Sequence, residues 1–195
     1  MEISPPPQAS RESVKRFPQL DNQELIKSSF WISQVFMIIA TVAGVYLAAQ
    51  EGLSQAITFD TLTNKQNNYY LRHALYDELS DNVKEVNSYA DVIVAKSAFE
   101  RKNFHPNMAT FVWENMRYSQ YTLETPSAIL SDTRRFYMQA EDIVNKIETR
   151  FYGAKYGSGL LKELTEKVST QTLPALKANY TELAAELTRN DIIVE

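Results

Sequence analysis

One uninterrupted apolar run, residues 30–49, constrains this chain more than any other feature. The run reads FWISQVFMIIATVAGVYLAA and contains no charged residue. An α-helix of this length spans about 30 Å, which is the thickness of the hydrocarbon core of a bilayer. We therefore predict a transmembrane helix over residues 30–49.

A cleavable signal peptide is the alternative explanation of the run. The apolar region of a signal peptide usually covers about 7–15 residues and ends at a site with small residues at positions −1 and −3. Here 29 residues precede the run, and Tyr46 or Leu47 occupies position −3 for cleavage after Ala48 or Ala49. The sequence favours a retained anchor.

The basic residues near the run predict its orientation. Four of them precede it, namely Arg11, Lys15, Arg16 and Lys27, whereas within about 20 residues after it only Lys65 follows. Because lysine and arginine are retained on the cytoplasmic side, we predict a disordered cytoplasmic tail over residues 1–29. Residues 50–195 then form an extracytoplasmic domain.

Composition excludes several classes of function. The net charge is −4 and the basic residues are dispersed, so nucleic acid, which requires a basic surface, is not an expected partner. The chain has no cysteine. This excludes disulfides, thiolate metal sites and cysteine nucleophiles.

Apolar residues after the run follow a helical period. In the segment from Asp60 to about Ala98 they form one stripe: Leu71, Leu75, Leu79, Val83, Val86, Ala90 and Ile93. Further helices are predicted over 108–123, 131–156 and 160–188, the third of them with Phe136, Ala140, Ile143, Ile147 and Phe151 on its apolar face. We expect a loop at the glycine-rich residues 152–159 and a kink near Thr172, before Pro174. The predicted fold is all-α, with one transmembrane helix followed by an antiparallel bundle of about four helices.

Small residues in the apolar run suggest a helix-packing face. Ala40, Gly44 and Ala48 recur every four residues and therefore lie on one side of the helix. Small side chains allow a second membrane helix to approach closely. The alternative is that Ala and Gly are simply common in such helices.

Few residues are candidates for catalysis or metal binding. His73 and Asp77 are one helical turn apart and form a weak polar pair, which becomes a metal site only if His105, Glu100 or Glu124 supplies a third ligand. Adjacent acids such as Asp77 and Glu78 are interpreted as a solvated face. We predict no catalytic residues, no metal and no cofactor.

Tyrosines near the predicted helix ends are candidates for an interaction surface, because aromatic rings with a hydroxyl suit protein interfaces. An ordinary core edge is the alternative. The candidates are Tyr118, Tyr121, Tyr152 and Tyr156.

The segment from Trp113 to Tyr137 resembles a pattern in bacterial single-pass membrane proteins with a helical extracytoplasmic domain. The pattern consists of Trp113-Glu114, Ser119, Pro126, Leu130 and Phe136-Tyr137, after an anchor and a helix of the type Leu75-Tyr-Asp-Glu-Leu79. Residues 121–123 stand where the pattern usually has a glycine-rich turn. The resemblance implies a bacterial inner (plasma) membrane protein with a periplasmic or extracellular domain, and it implies no catalytic residues.

These observations favour a non-catalytic accessory or scaffold protein that is anchored in the membrane. Its expected partners are the lipid bilayer and either another protein or a second copy, bound through the transmembrane helix or the bundle. A ligand-sensing domain that signals through a separate partner is the alternative. A metal-dependent enzyme, based on His73, is the weakest of the three hypotheses.

Overall fold

The computed structural model describes residues Ser28–Val194, and all regular secondary structure in this range is helical. The predicted tail lies outside the described residues, except for Ser28 and Ser29, which already belong to the first helix. The basic residues that precede the apolar run also lie outside them.

The helices differ in length by more than tenfold. The α-helices are α1 (Ser28–Ile93), α2 (Phe111–Met116), α3 (Ser127–Glu148), α4 (Ala154–Lys167) and α5 (Leu173–Thr188). Two 3₁₀ turns (Glu100–Asn103 and Gln120–Glu124) flank α2, and a π-helical turn (Val168–Thr172) joins α4 to α5.

The chain divides within α1 into two compact units, one that ends at Gln55 and one that begins at Ala56. The apolar run belongs to the first unit. Gly52 lies inside α1 and does not end the helix.

The second unit contains a hydrophobic core. Its α1 contribution is the predicted stripe from Leu75 to Ile93, which is buried at every position. The other buried members come from α3, α4, the π-helical turn and α5, and include Phe136, Tyr137, Ala140, Val144, Ile147, Leu161, Val168 and Leu173. A smaller cluster joins Leu75 to Met116, Ile129 and Leu176.

The predicted end of the third helix is wrong. Helix α3 ends at Glu148, and Arg150 adopts a left-handed conformation with φ 65°. The chain therefore leaves the helical path before Phe151, whose side chain is 75% exposed instead of buried. The predicted second helix is also too long, since α2 covers only six residues.

The predicted glycine-rich loop is mostly helix. Helix α4 begins at Ala154 and includes Gly157 and Gly159. No glycine in the described range has a positive φ. Gly157 instead permits close packing: a β-carbon there would lie 2.4 Å from Cγ1 of Ile147.

The structure places the irregularity expected near Thr172 in the π-helical turn. The N–H of Leu173 bonds the carbonyl of Val168, five residues back. Pro174 has no N–H, and its ring would crowd the carbonyl four residues earlier in a regular helix. The wider π turn relieves this conflict, so helical backbone continues from α4 into α5.

Candidate functional site

The apolar part of α1 exposes its side chains. Trp31, Phe36, Ile39, Val42 and Tyr46 are each more than half exposed. This helix is the one in the described range that is long and apolar enough to cross a membrane.

The predicted packing face lies on this exposed stretch. Ala40, Gly44 and Ala48 are all exposed, and a β-carbon on Gly44 would meet no atom within 4 Å. Gly52 continues the same four-residue series. The small face therefore extends one turn beyond the three residues chosen from the sequence.

The His73–Asp77 pair forms on α1, with Nε2 of His73 at 3.9 Å from Oδ2 of Asp77. Two rings flank the imidazole: the centroid of Tyr180 is 4.8 Å away and that of Tyr69 is 5.5 Å away. Burial raises the pKa of Tyr180. His73 thus belongs to an aromatic cluster between α1 and α5.

The residues considered as a third metal ligand have other partners. Nδ1 of His105 lies 2.7 Å from Oε1 of Glu148, and Glu124 accepts a hydrogen bond from Asn68. In the range from Ser28 to Val194, no group of three or more His, Cys, Asp and Glu side chains is arranged to hold a metal ion.

The four candidate tyrosines differ in their exposure. Tyr118 is 88% exposed and Tyr156 is 60% exposed. Tyr121 accepts a hydrogen bond from Asn67 at 3.1 Å, and Tyr152 packs against the core. Only Tyr152 and Tyr156 are in ring contact with each other, at 5.1 Å between centroids.

A buried carboxylate holds the start of α2 against α1. Glu78 is 8% exposed, so its interpretation as part of a solvated face is wrong. Its oxygens accept hydrogen bonds from the backbone N–H groups of Val112 at 2.6 Å and Trp113 at 3.0 Å. The hydroxyl of Tyr137 donates a third at 3.0 Å. A negative charge at a helix N-terminus is stabilised by the unpaired N–H groups there.

Asn82 extends this network by one helical turn. Its amide donates to the carbonyl of Ala109 at 2.6 Å and accepts from the N–H of Ala109 at 2.8 Å. It also donates to the Tyr137 hydroxyl at 2.9 Å. Burial and the Glu78 carboxylate raise the pKa of Tyr137, so this hydroxyl stays protonated and can donate.

Arg72 organises a second buried network. Its guanidinium donates to the carbonyl of Glu124 at 2.7 Å, to Oδ1 of Asn179 at 2.8 Å and to Oδ1 of Asn68 at 3.1 Å. Burial lowers its pKa, against the opposing charge of Glu124. This residue joins α1 to α5 and to Glu124, the last residue of the second 3₁₀ turn.

Sequence reasoning missed both networks, although the stripe contained a signal. Asn68 lies seven residues before Leu75, and Asn82 lies seven residues after it, so both share its helix face. Polar residues on an apolar stripe indicate buried hydrogen-bond networks rather than solvent exposure.

An open cleft of about 590 Å³ lies at the C-terminal end of α3, and its lining residues are Lys102, Glu148, Thr149 and Arg150. Tyr89 is buried and does not line this cleft; the charge of Glu148 raises the pKa of its hydroxyl and that of Arg101 lowers it. Burial is the main cause that raises the pKa of Tyr89 to about 12.

The turn beside the cleft is stabilised by a capping box that sequence reasoning also missed. The N–H of Ser97 donates to Oε2 of Glu100 at 2.8 Å, and the N–H of Glu100 donates to Oγ of Ser97 at 3.4 Å. The Ser-x-x-Glu spacing is the sequence signal.

No protein-family model, curated protein or solved structure matches the chain. The fold class shown by the described residues is all-helical, with a long apolar helix near the N-terminus.

Proposed function

We propose that this chain is a non-catalytic, membrane-anchored interaction protein of the bacterial inner membrane. In this proposal residues 30–49 cross the bilayer once, the N-terminus is cytoplasmic, and residues 50–195 form an antiparallel helical bundle outside. The bundle and the membrane helix hold protein partners near the membrane.

The exposed apolar stretch of α1 is the observation that carries the proposal. Its large side chains, such as Phe36 and Ile39, are exposed along successive turns and on all sides of the helix. Soluble proteins rarely expose apolar surface of this extent, whereas lipid tails cover it without cost. Thr41 fits this setting, because its hydroxyl donates to the carbonyl of Met37 at 2.8 Å and leaves no unsatisfied donor.

The small face of α1 supports an association within the membrane. Helices in lipid associate through close packing and not through the hydrophobic effect. The open space around Gly44 and Gly52 allows another helix to approach the backbone there. A second copy of the chain is the simplest partner for this face.

Association of the full chain in mild detergent tests this part of the proposal. Gly44→Leu places a large side chain on the face, and we expect it to abolish a dimer or hetero-complex detected by cross-linking. Val45→Leu is the matched control, since it adds a methylene one residue away on another side of the helix. Unchanged cross-linking in Gly44→Leu, or equal loss in both variants, would contradict the packing face.

Ligand sensing is a second candidate function, and the open cleft beside Lys102 and Arg150 favours it. In this alternative the cleft binds a solute, and the exposed bundle passes the signal to a separate partner. Copurification of stable partner subunits supports the accessory role, whereas a lone chain that a solute stabilises against heat supports sensing.

A further inference from the structure

We propose that residues 107–125 form a releasable strap. The strap detaches from α1 as one unit while α1, α3, α4 and α5 stay packed together, and its release uncovers an apolar cluster that the closed strap hides. The strap belongs entirely to the second unit, and its release goes beyond the proposed anchoring role. It does not depend on what the membrane helix binds.

The strap buries few of its own side chains. Within residues 107–125 only Met116 and Thr125 are buried, whereas α3, a segment of similar length, buries seven residues. Three large apolar side chains of the strap, Phe111, Tyr118 and Leu123, are instead 77%, 88% and 90% exposed. Because burial of apolar surface is the main force that holds a segment in place, the strap gains less from packing than the long helices do.

Polar side chains of α1 hold the strap, and they bond to its backbone. Asn82 donates to the carbonyl of Ala109 and accepts from the N–H of the same residue. Glu78 accepts from the N–H groups of Val112 and Trp113. Each of these hydrogen bonds replaces bonds to water, so its net contribution to closure is much smaller than its strength in isolation.

The C-terminal end of the strap is held in the same way. Arg72 donates to the carbonyl of Glu124 at 2.7 Å and to the hydroxyl of Thr125 at 3.3 Å. Asn68 donates to Oε2 of Glu124 at 2.7 Å. When the strap leaves, water reaches these α1 side chains and bonds them. Release therefore leaves no buried charge or amide on α1 without a partner.

The larger hydrophobic core does not need the strap. All of its buried members come from α1, α3, α4, the π-helical turn and α5, and the strap adds only the partly buried Met108 and Trp113. These helices therefore stay joined when the strap leaves.

Release uncovers the smaller cluster. Met116 is the buried residue that the strap contributes to it, and it packs with Leu75 of α1, Ile129 of α3 and Leu176 of α5. The closed strap covers these three apolar side chains, and the released strap leaves them open at the surface. The strap is thus an internal cover that is built into the fold.

Hydrogen exchange of the full chain in detergent, read by mass spectrometry of its peptides, tests the strap. We expect the amides of residues 109–118 to exchange together and roughly a hundredfold faster than the core amides of residues 134–147, because the strap opens without global unfolding. Equal protection of the two stretches would overturn the proposal. A complete lack of protection in residues 109–118 would also overturn it, since the strap would then never be closed. Either result would leave the membrane role untouched.

Two variants separate local release from global unfolding. Gly157→Ala overpacks α4 against α3, so it should accelerate exchange of the core amides roughly tenfold while the strap amides keep their rate. Glu78→Gln removes the charge that bonds two strap N–H groups, and it should accelerate exchange of the strap roughly tenfold. Glu182→Gln on the exposed side of α5 is the control and should change neither rate.

Thermal unfolding confirms that each variant is folded, and the exchange of the unchanged chain decides the proposal even where a variant does not fold. Acceleration of strap and core by the same factor in Gly157→Ala would overturn the proposal, because the strap would then open only when the whole unit unfolds. Unchanged strap exchange in Glu78→Gln would overturn the assignment of Glu78 as an attachment.

Discussion

Gly157 of α4 lies directly against the side chain of Ile147 of α3. A β-carbon at Gly157 would lie 2.4 Å from Cγ1 and 2.6 Å from Cδ1 of Ile147. Ile147 is 1% exposed, so its branched side chain cannot turn out into solvent to make room. The absence of a side chain at position 157 therefore sets how closely α3 and α4 approach each other.

Gly157→Ala should destabilise the chain by about 1–3 kcal/mol, since an added methyl group overpacks a filled core. Gly159→Ala is the control on the same helix, because a β-carbon there would meet no atom within 4 Å. That change should stabilise the helix by up to about 1 kcal/mol. Urea denaturation of both variants measures the difference, and equal stabilities would contradict the close packing.

Glu78→Gln should lower the free energy of unfolding by about 2–3 kcal/mol, because charge-assisted hydrogen bonds are lost and an amide N–H₂ faces backbone donors. Trp113 fluorescence reports the change, as its ring is stacked on Tyr137 at 5.9 Å. Glu182→Gln on the exposed side of α5 is the control and should change little. A neutral effect of Glu78→Gln would show that the carboxylate does not anchor α2.

Thr133→Val should stabilise the chain by about 1 kcal/mol, because the Thr133 hydroxyl is fully buried and has no hydrogen-bond partner. The same change at Thr165 is the control. Its hydroxyl is 2.7 Å from Oδ1 of Asn87 and 3.0 Å from the carbonyl of Lys162, so Thr165→Val should destabilise. Thermal unfolding that gives both changes the same sign would refute this account of the two hydroxyls.

The Tyr89 phenol should titrate with a pKa of about 12, above its ordinary value of 10.0, chiefly because burial disfavours the phenolate. The raised pKa keeps the proton on the folded chain after the unfolded chain has begun to lose it. Its contribution to stability is therefore complete below pH 10 and decreases between about pH 10 and 12. The difference in phenolate absorbance between the unchanged chain and Tyr89→Phe measures this pKa, and a midpoint near 10 would contradict the burial.

Regular patterns in the sequence predicted the helical class and the α1 core stripe. A helix that buries one face needs apolar residues spaced three and four positions apart, and this spacing is visible in the sequence. The glycines of residues 152–159 led to the wrong prediction of a loop. The sequence alone does not distinguish a glycine that permits close helix packing from a glycine that ends a helix. At the end of α3 the left-handed position is occupied by Arg150, a residue type that gives no turn signal.

The buried networks and the cleft depend on contacts between residues that are distant in sequence. Glu78 and Val112 are 34 residues apart, and only the folded chain shows that the carboxylate caps α2. Likewise, nothing local indicates that Tyr89 stacks on Phe104 or that His105 pairs with Glu148. Such partners arise from how the helices pack, which a single amphipathic pattern does not specify.

Determining the membrane topology of the chain by cysteine labelling tests the central claim most directly. The sequence contains no cysteine, so only an introduced cysteine can be labelled. Single cysteines are introduced as Ser10→Cys before the apolar run and as Ser169→Cys in the exposed part of the π-helical turn. Intact bacterial cells with a permeabilised outer membrane are then treated with a maleimide that cannot cross the inner membrane. The account predicts labelling of the cysteine at position 169 and protection of the cysteine at position 10 until the inner membrane is opened. Labelling at position 10, or protection at position 169, in intact cells would contradict it.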